Sequence, residues 1–293
     1  MTAETRKRAS RSSAEQGGAS LRAMLRQHDR DRYQTVLFAP VERRDALFAL
    51  YAFNYEIARV RESVTQPMLG QIRLQWWREV IDAAYAGAVP RQHEVALPLT
   101  EAIQERSLSR ASFDRLIDAR ECDLTDEPPA DMAALVDYAE GTSAALQALV
   151  LQALGINEAA SGAAARAVGI GYALAGLLRA MPFHAASGRC YIPAAIAAEC
   201  GLDPADYQRL HGSEGIRGAA LVIADAAAAF LGEARRQRGI PRAALAALLP
   251  AVIARRYLRR LRQARFDPFA PALRVPDTLQ SWRLSTAAMT GRF

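Results

Sequence analysis

Cysteine and histidine are scarce and badly placed for metal or disulfide chemistry. Cys122, Cys190 and Cys200 form no CxxC pair, and three cysteines cannot all be bridged within one chain. A disulfide scaffold and a thiolate zinc site are therefore not expected, and the natural setting is a reducing compartment. His28, His93, His184 and His211 show no HExxH or Hx3–5H spacing, so no imidazole metal site is visible. Fourteen Pro and 18 Gly among 293 residues are too few for a low-complexity or collagen-like chain. Lysine is nearly missing: Lys7 is the only one among 37 basic residues. No apolar run reaches the ~20 residues that span a bilayer. The longest, from Gly218 to Gly232, is interrupted by Asp225. No signal-peptide core is expected either. Residues 1–20 combine Ser, Gly and Ala with Arg6, Lys7, Arg8 and Arg11, a mix resembling a transit peptide, but Glu4 and Glu15 favour a disordered basic tail.

What is abundant is alanine. Sixty-one alanines and few β-branched residues point to an all-α protein, and 51% hydrophobic content in a chain of this length supports a large core. Helical periodicity predicts one long helix from Val41 to Glu62 and a second from Pro67 to about Tyr85, with shorter helices near 94–106 and 109–123. The Asp126–Pro129 stretch breaks the pattern. Asp131 is a candidate cap for a helix reaching Leu154 and stopping at Gly155. Asn157 is a candidate cap for a helix rich in Gly and Ala, expected to lie centrally and to end at Pro182. A loop over 187–193 precedes further helices to Arg265. Residues 266–293, with Pro268, Pro271 and Pro276, predict an irregular tail. The expected organisation is a single domain over 21–265 between two frayed ends.

The excess charge is local. Between Ala251 and Arg265 stand Arg255, Arg256, Arg259, Arg260, Arg262 and Arg265 with no acid, which accounts for the net charge of +6. No nucleic-acid reader motif accompanies them, so nucleic acid is not an expected partner. With Val252, Ile253, Leu258 and Leu261 as an apolar strip, the segment suits an anionic membrane surface or an acidic partner; a solvated face of a packed helix remains the plain alternative.

Several stretches together resemble the squalene/phytoene synthase family over roughly residues 30–265. They are Tyr51-Ala52-Phe53, Trp76-Trp77, Asp123-Leu124, Tyr138 with Gly141-Thr142, and Leu177-Leu178-Arg179 followed by Gly188-Arg189-x-Tyr191-x-Pro193. The resemblance implies an all-α isoprenoid-synthase-like helical bundle in which two Asp-rich clusters hold Mg²⁺ against prenyl diphosphates, hard oxygens around a hard cation. It also places the cluster positions at Ala58, Arg59 and Glu62, and at Ala180, Phe183 and His184. Only Glu62 keeps an acid, and Arg59 sets a fixed cation where a metal belongs. Asp114 with Asp118, and Glu56 with Glu62, are better read as ion-paired surface than as substitute ligands. Tyr51, Arg179, Arg189 and Tyr191 remain candidate ligand or phosphate contacts, although Arg189 and Tyr191 suit bracing of their loop equally well.

The run Leu178-Arg179-Ala180-Met181-Pro182-Phe183-His184, with Phe53–Ala58 and Gln75–Arg78, resembles a divergent branch of that family, the mitochondrial complex I assembly factor 6-like proteins. That likeness implies a non-catalytic, membrane-peripheral assembly role with respiratory complex I subunits or assembly proteins as partners and no cofactor. It implies the cytoplasmic face of a bacterial inner membrane, or the matrix side if the chain is organellar. Two alternatives stay open: an active head-to-head prenyltransferase using Mg²⁺ through displaced ligands, and an isoprenoid- or lipid-binding module.

Overall fold

In the computed structural model, which describes residues 18–293, helices α1 (18–28) and α2 (Arg30–Val36) lead into α3 (Arg44–Ala58). The run Leu47–Asn54 of α3 is buried on every face, so this helix lies inside the bundle. The expected Val41–Glu62 helix is divided. A 3-10 turn (Val41–Arg43) precedes α3, and the chain leaves the helix at Arg59 for a second turn, Arg61–Ser63. There the Ser63 hydroxyl donates to the Val60 carbonyl at 2.9 Å, a local bond that competes with the helical ladder. Helix α4 (Pro67–Tyr85) starts on its proline, whose missing N–H is no loss in a first turn. Trp77 packs edge-on against Phe53 in the core, while Trp76 stays half-buried beside His93.

After α5 (Ala96–Arg106) and α6 (Arg110–Glu121), a 3-10 turn (Cys122–Leu124) leads to α7 (Met132–Ala139). The Asp131 carboxylate accepts from the Ala134 N–H at 2.9 Å, so the expected cap is formed. A π-helical turn, Glu140–Ala144, joins α7 to α8 (Ala145–Leu154), which ends on Gly155 at φ +79°.

Helix α9 (Ala159–Ala186) is the central element, and it continues through Pro182 instead of ending there; its N-cap is Glu158, not Asn157. The proline withdraws only the donor to the Leu178 carbonyl, close to the helix end, and the following turn re-forms with Ser187 N–H bonding to the Phe183 carbonyl. Its small residues permit very close crossings. A Cβ on Gly169 would stand 2.6 Å from the Ala144 Cα in the π turn, whereas nothing lies within 4 Å of Gly176. Gly169→Ala is expected to cost about 2 kcal/mol through overpacking. Gly176→Ala is expected to stabilise by about 0.5–1 kcal/mol through helix propensity. Urea midpoints for the pair check both signs, and equal midpoints would mean the crossing yields easily.

Short helices α10 (Ala194–Glu199) and α11 (Pro204–Gln208) precede α12 (Glu214–Arg236), which packs along α9. Helices α9 and α12 are long and apolar enough to cross a membrane by length and composition, though α9 is a core element of the bundle. After α13 (Leu245–Leu248) comes α14 (Pro250–Gln263). Residues 266–293 are not an irregular tail. They form α15 (Pro271–Arg274) and α16 (Gln280–Thr290), with Leu284 and Phe269 buried. Arginine heads satisfy their loose carbonyls: Arg260 donates to Ala272 and Val275, and Arg242 to Ala288 and Met289. The described residues contain no strand. Of the expected N-terminal tail, 1–17 lie outside the described residues, and 18–20 are helical.

Candidate functional site

Two polar networks cross the bundle. The first centres on Asp123, which the 3-10 turn after α6 drives into the interior at 4% exposure. Its Oδ1 accepts from the Tyr191 hydroxyl at 2.6 Å and the Tyr138 hydroxyl at 2.8 Å, and its Oδ2 from Arg120 at 3.0 Å. Arg189 donates to the Asp123 carbonyl at 3.1 Å, to its carboxylate and to the Tyr191 hydroxyl. Burial first, and the Asp123 charge with it, pushes Tyr138 and Tyr191 far above the ordinary phenol range, so both stay protonated donors. Arg189 and Tyr191 thus brace the 187–193 loop, turned at Gly188 with φ +70°, against α6 and α7.

His184 stands at the edge of this network with its ring 4.7 Å from that of Tyr191, among Leu135, Leu178, Met181 and Ile192. Burial, then the Arg189 charge, pushes its imidazole down to about 4, which leaves it neutral at pH 7. Because α9 runs on past Pro182, Phe183 points outward at 53% exposure and His184 turns inward.

At the positions where the resemblance sets metal-binding acids, Ala58 and Ala180 offer no donor, and Arg59 lies 3.8 Å from Glu56. Glu62 is exposed, and among the described residues no group of three His, Cys, Asp or Glu could hold a metal ion. These side chains do not fit Mg²⁺, which needs several hard oxygens in one shell. The other carboxylates weighed from the sequence are ion-paired: Asp118 with Arg78 at 2.7 Å and Asp114 with Arg110 at 3.6 Å.

The second network joins α2, α9 and α16. Arg32 pairs with Asp29 at 2.7 Å and places its guanidinium 5.7 Å from the Tyr51 ring centre and 5.3 Å from that of Tyr172. Burial drives Tyr51 up to about 12, against the opposing pull of Arg32. Tyr51 is thus a core side chain, 1% exposed, stacked with a buried cation. Arg179 pairs with Asp31 at 2.6 Å, and Gln280 of α16 donates to the same carboxylate at 2.7 Å. Burial alone would raise Asp31, but the charge and hydrogen bond of Arg179, with Gln280, hold it below the usual carboxylate range.

Arg179 and Asp31 open into a pocket of about 260 Å³ between α2, α14 and the C-terminal segment. Its wall carries Arg30, Arg179, Arg256, Arg260, Arg274 and Arg283 against Asp31 and Asp277, so its field favours an anion. The buried Tyr257 hydroxyl on the same wall has no hydrogen-bond partner among the described residues. Of the arginines singled out on α14, Arg256 and Arg260 face this pocket, Arg255 donates to the Leu231 carbonyl at 2.6 Å, and Arg259 and Arg262 are exposed. Asp31, Tyr257 and Gln280 escape sequence reasoning because their partners lie far away along the chain. The one local hint is the charged run His28–Arg32 at the head of an apolar region.

The family model described as squalene/phytoene synthase matches residues 25–288. A Bos taurus protein named NADH dehydrogenase (ubiquinone) complex I, assembly factor 6 is 33% identical over 268 residues, covering 89% of this chain and 80% of the relative. The crystal structure of squalene synthase HpnC from Alicyclobacillus acidocaldarius superposes with a TM-score of 0.76 at 22% identity, covering 87% of this chain and 97% of that one. A dehydrosqualene synthase in complex with ligand superposes with a TM-score of 0.83 at 14% identity, covering 96% and 98%. The all-α bundle is therefore that of the isoprenoid synthases, with complex I assembly factor 6 proteins among the similar sequences, and the chain belongs to the squalene/phytoene synthase family.

Proposed function

We propose that this family member has given up magnesium-dependent prenyl transfer and serves as a non-catalytic assembly protein for respiratory complex I. The observation that carries the reading is the set of side chains at the six expected ligand positions. Five bring no carboxylate, and Arg59 brings a positive charge that repels a divalent cation. The relative named for complex I assembly, similar over 89% of the chain, supports the same direction. Complex I subunits or other assembly proteins are the partners this reading requires. The acid-free arginines of α14 suit a peripheral seat on an anionic membrane, on the cytoplasmic side in a bacterium or the matrix side in an organelle.

A second reading, compatible with the first, concerns the arginine-lined pocket beside Asp31. Six arginines against two aspartates, with an unpartnered tyrosine hydroxyl, suit the anionic head of an isoprenoid or lipid without any metal.

Incubation with farnesyl or geranylgeranyl diphosphate and Mg²⁺ tests the loss of chemistry. Pyrophosphate release is expected to stay at the no-protein background, and any diphosphate binding to be equal in Mg²⁺ and in EDTA. Stoichiometric turnover would reject the non-catalytic reading. Deletion of the gene in its own cell is expected to lower complex I activity while succinate oxidation is kept; unchanged complex I would remove the assembly role.

A further inference from the structure

We infer that α16 is a bilayer-seating helix, whose outer stripe of Leu279, Trp282 and Met289 enters the interface of an anionic lipid membrane beside the arginines of α14. The inference rests on the peripheral reading above and adds the element, the residues and the mode of contact.

The chain is electrically divided. From Ala234 to Phe293 there are thirteen arginines against Asp267 and Asp277, while the first 233 residues carry 24 basic and 29 acidic side chains. Both aspartates are engaged, Asp267 with Arg217 and Asp277 with Arg256 and Arg283. The C-terminal part of the chain thus carries an excess charge of one sign, which suits an anionic partner.

Helix α16 then decides the kind of partner. Its inner face buries Leu284 and Ala287. Positions 279, 282, 286 and 289 recur at helical spacing on the outer face. There Leu279 is 53%, Trp282 65% and Met289 77% exposed. Trp282, Thr286 and Thr290 share one shallow groove with Arg255, Arg259 and Arg292, so aromatic and cationic groups stand on one surface. A nucleic acid would satisfy the arginines but leave this apolar stripe in water. A bilayer interface satisfies both, with phosphates against guanidinium groups and Trp at headgroup depth. The cations are also crowded: burial, then the charge of Arg235, pushes Arg255 down to about 10, and lipid phosphates would relieve that repulsion. At roughly 16 Å long, an 11-residue helix lies in the interface plane rather than across it.

The seat has a consequence for the pocket beside Asp31. Val275, Pro276 and Thr278 on its wall lead directly into α16, which adds Ser281 to the same wall. Docking by α16 brings that wall close to the headgroups, where an amphiphile can enter.

Vesicles of phosphatidylcholine, alone or with phosphatidylglycerol, test the inference on the full chain. Sedimentation is expected only with the anionic lipid, together with a blue shift of tryptophan emission and quenching by brominated acyl chains. Trp282→Phe should abolish the shift, because Trp77 is buried and Trp76 half-buried. Trp282→Ser should weaken binding about tenfold. Arg259→Gln and Arg262→Gln should each weaken it about fivefold. Circular dichroism of Trp282→Phe controls for folding. If the protein binds anionic vesicles while Trp282 stays as open to acrylamide as in free solution, insertion by α16 is refuted and the peripheral reading stands. Equal binding to neutral vesicles, or no binding, refutes both.

Discussion

Replacing Asp123 by alanine is expected to lower the unfolding free energy by about 4 kcal/mol, the range for breaking a buried ion pair from one side. The reason is what the aspartate leaves behind. Arg120 and Arg189 lose their common counter-charge, with side chains only 14% exposed, and the Tyr138 and Tyr191 hydroxyls lose their acceptor. None of these four groups has an alternative carboxylate among its hydrogen bonds, so the penalty is that of desolvated donors facing one another. Asp123→Asn keeps the shape and one acceptor oxygen and should cost about half as much. Tyr138→Phe and Tyr191→Phe each remove a bond to the charged Asp123 carboxylate and one from an arginine, and should cost about 1.5–3 kcal/mol. Urea unfolding with unchanged slope measures all four. A cost below 1 kcal/mol for the alanine variant would mean that water reaches the guanidinium groups. Against a total stability of roughly 5–15 kcal/mol for a domain, the expected loss is enough to reduce the folded population in a cell.

How much of this could be read from the chain depends on the range of the interactions. The start of α4 on Pro67, the Asp131 cap and the Gly155 stop are each set by one residue acting on its neighbours, and each forms as the pattern predicts. The central place of α9 follows from its small residues, because only glycine lets the Gly169 backbone approach Ala144 so closely. Pro182 misleads because proline is judged as a breaker, although near a helix end it removes just one hydrogen bond. Helix α16 is missed for a different reason. Its carbonyls are held by Arg242, more than forty residues away, and its polar inward contacts run from Gln280 to Asp31 and Gln34 on α2. No local periodicity reports such partners. The same holds for the site. The resemblance locates the ligand positions and shows their missing acids, but the pairing of Arg179 with Asp31, 148 residues apart, has no signature in a linear reading. Tyr51 is the clearest case: at a family position it invites a ligand role, yet Arg32 fills the space over its ring.

The second large effect is a pH dependence set by His184. In the unfolded chain its imidazole titrates near 6.5, and in the folded protein burial and Arg189 hold it down to about 4. Between these values the unfolded state binds the proton and the folded state does not, so stability falls as the pH drops through that window and is fully present above it. The loss is expected to be on the order of 2–3 kcal/mol by pH 4, at 1.4 kcal/mol per pH unit of separation with some relief from partial exposure. Asp31 acts in the same direction but lower on the scale. Its folded value lies below 3.8, so its contribution fades only once the pH falls below that range. His184→Phe keeps an aromatic ring against Tyr191 and removes the titration. The variant should therefore differ from the parent by a pH-dependent amount, with its curve flatter between pH 6.5 and 4 and the same shape above pH 7. Urea midpoints measured at half-unit steps check this. Curves that stay parallel across the whole range would show that a charged imidazole is accommodated beside Asp123.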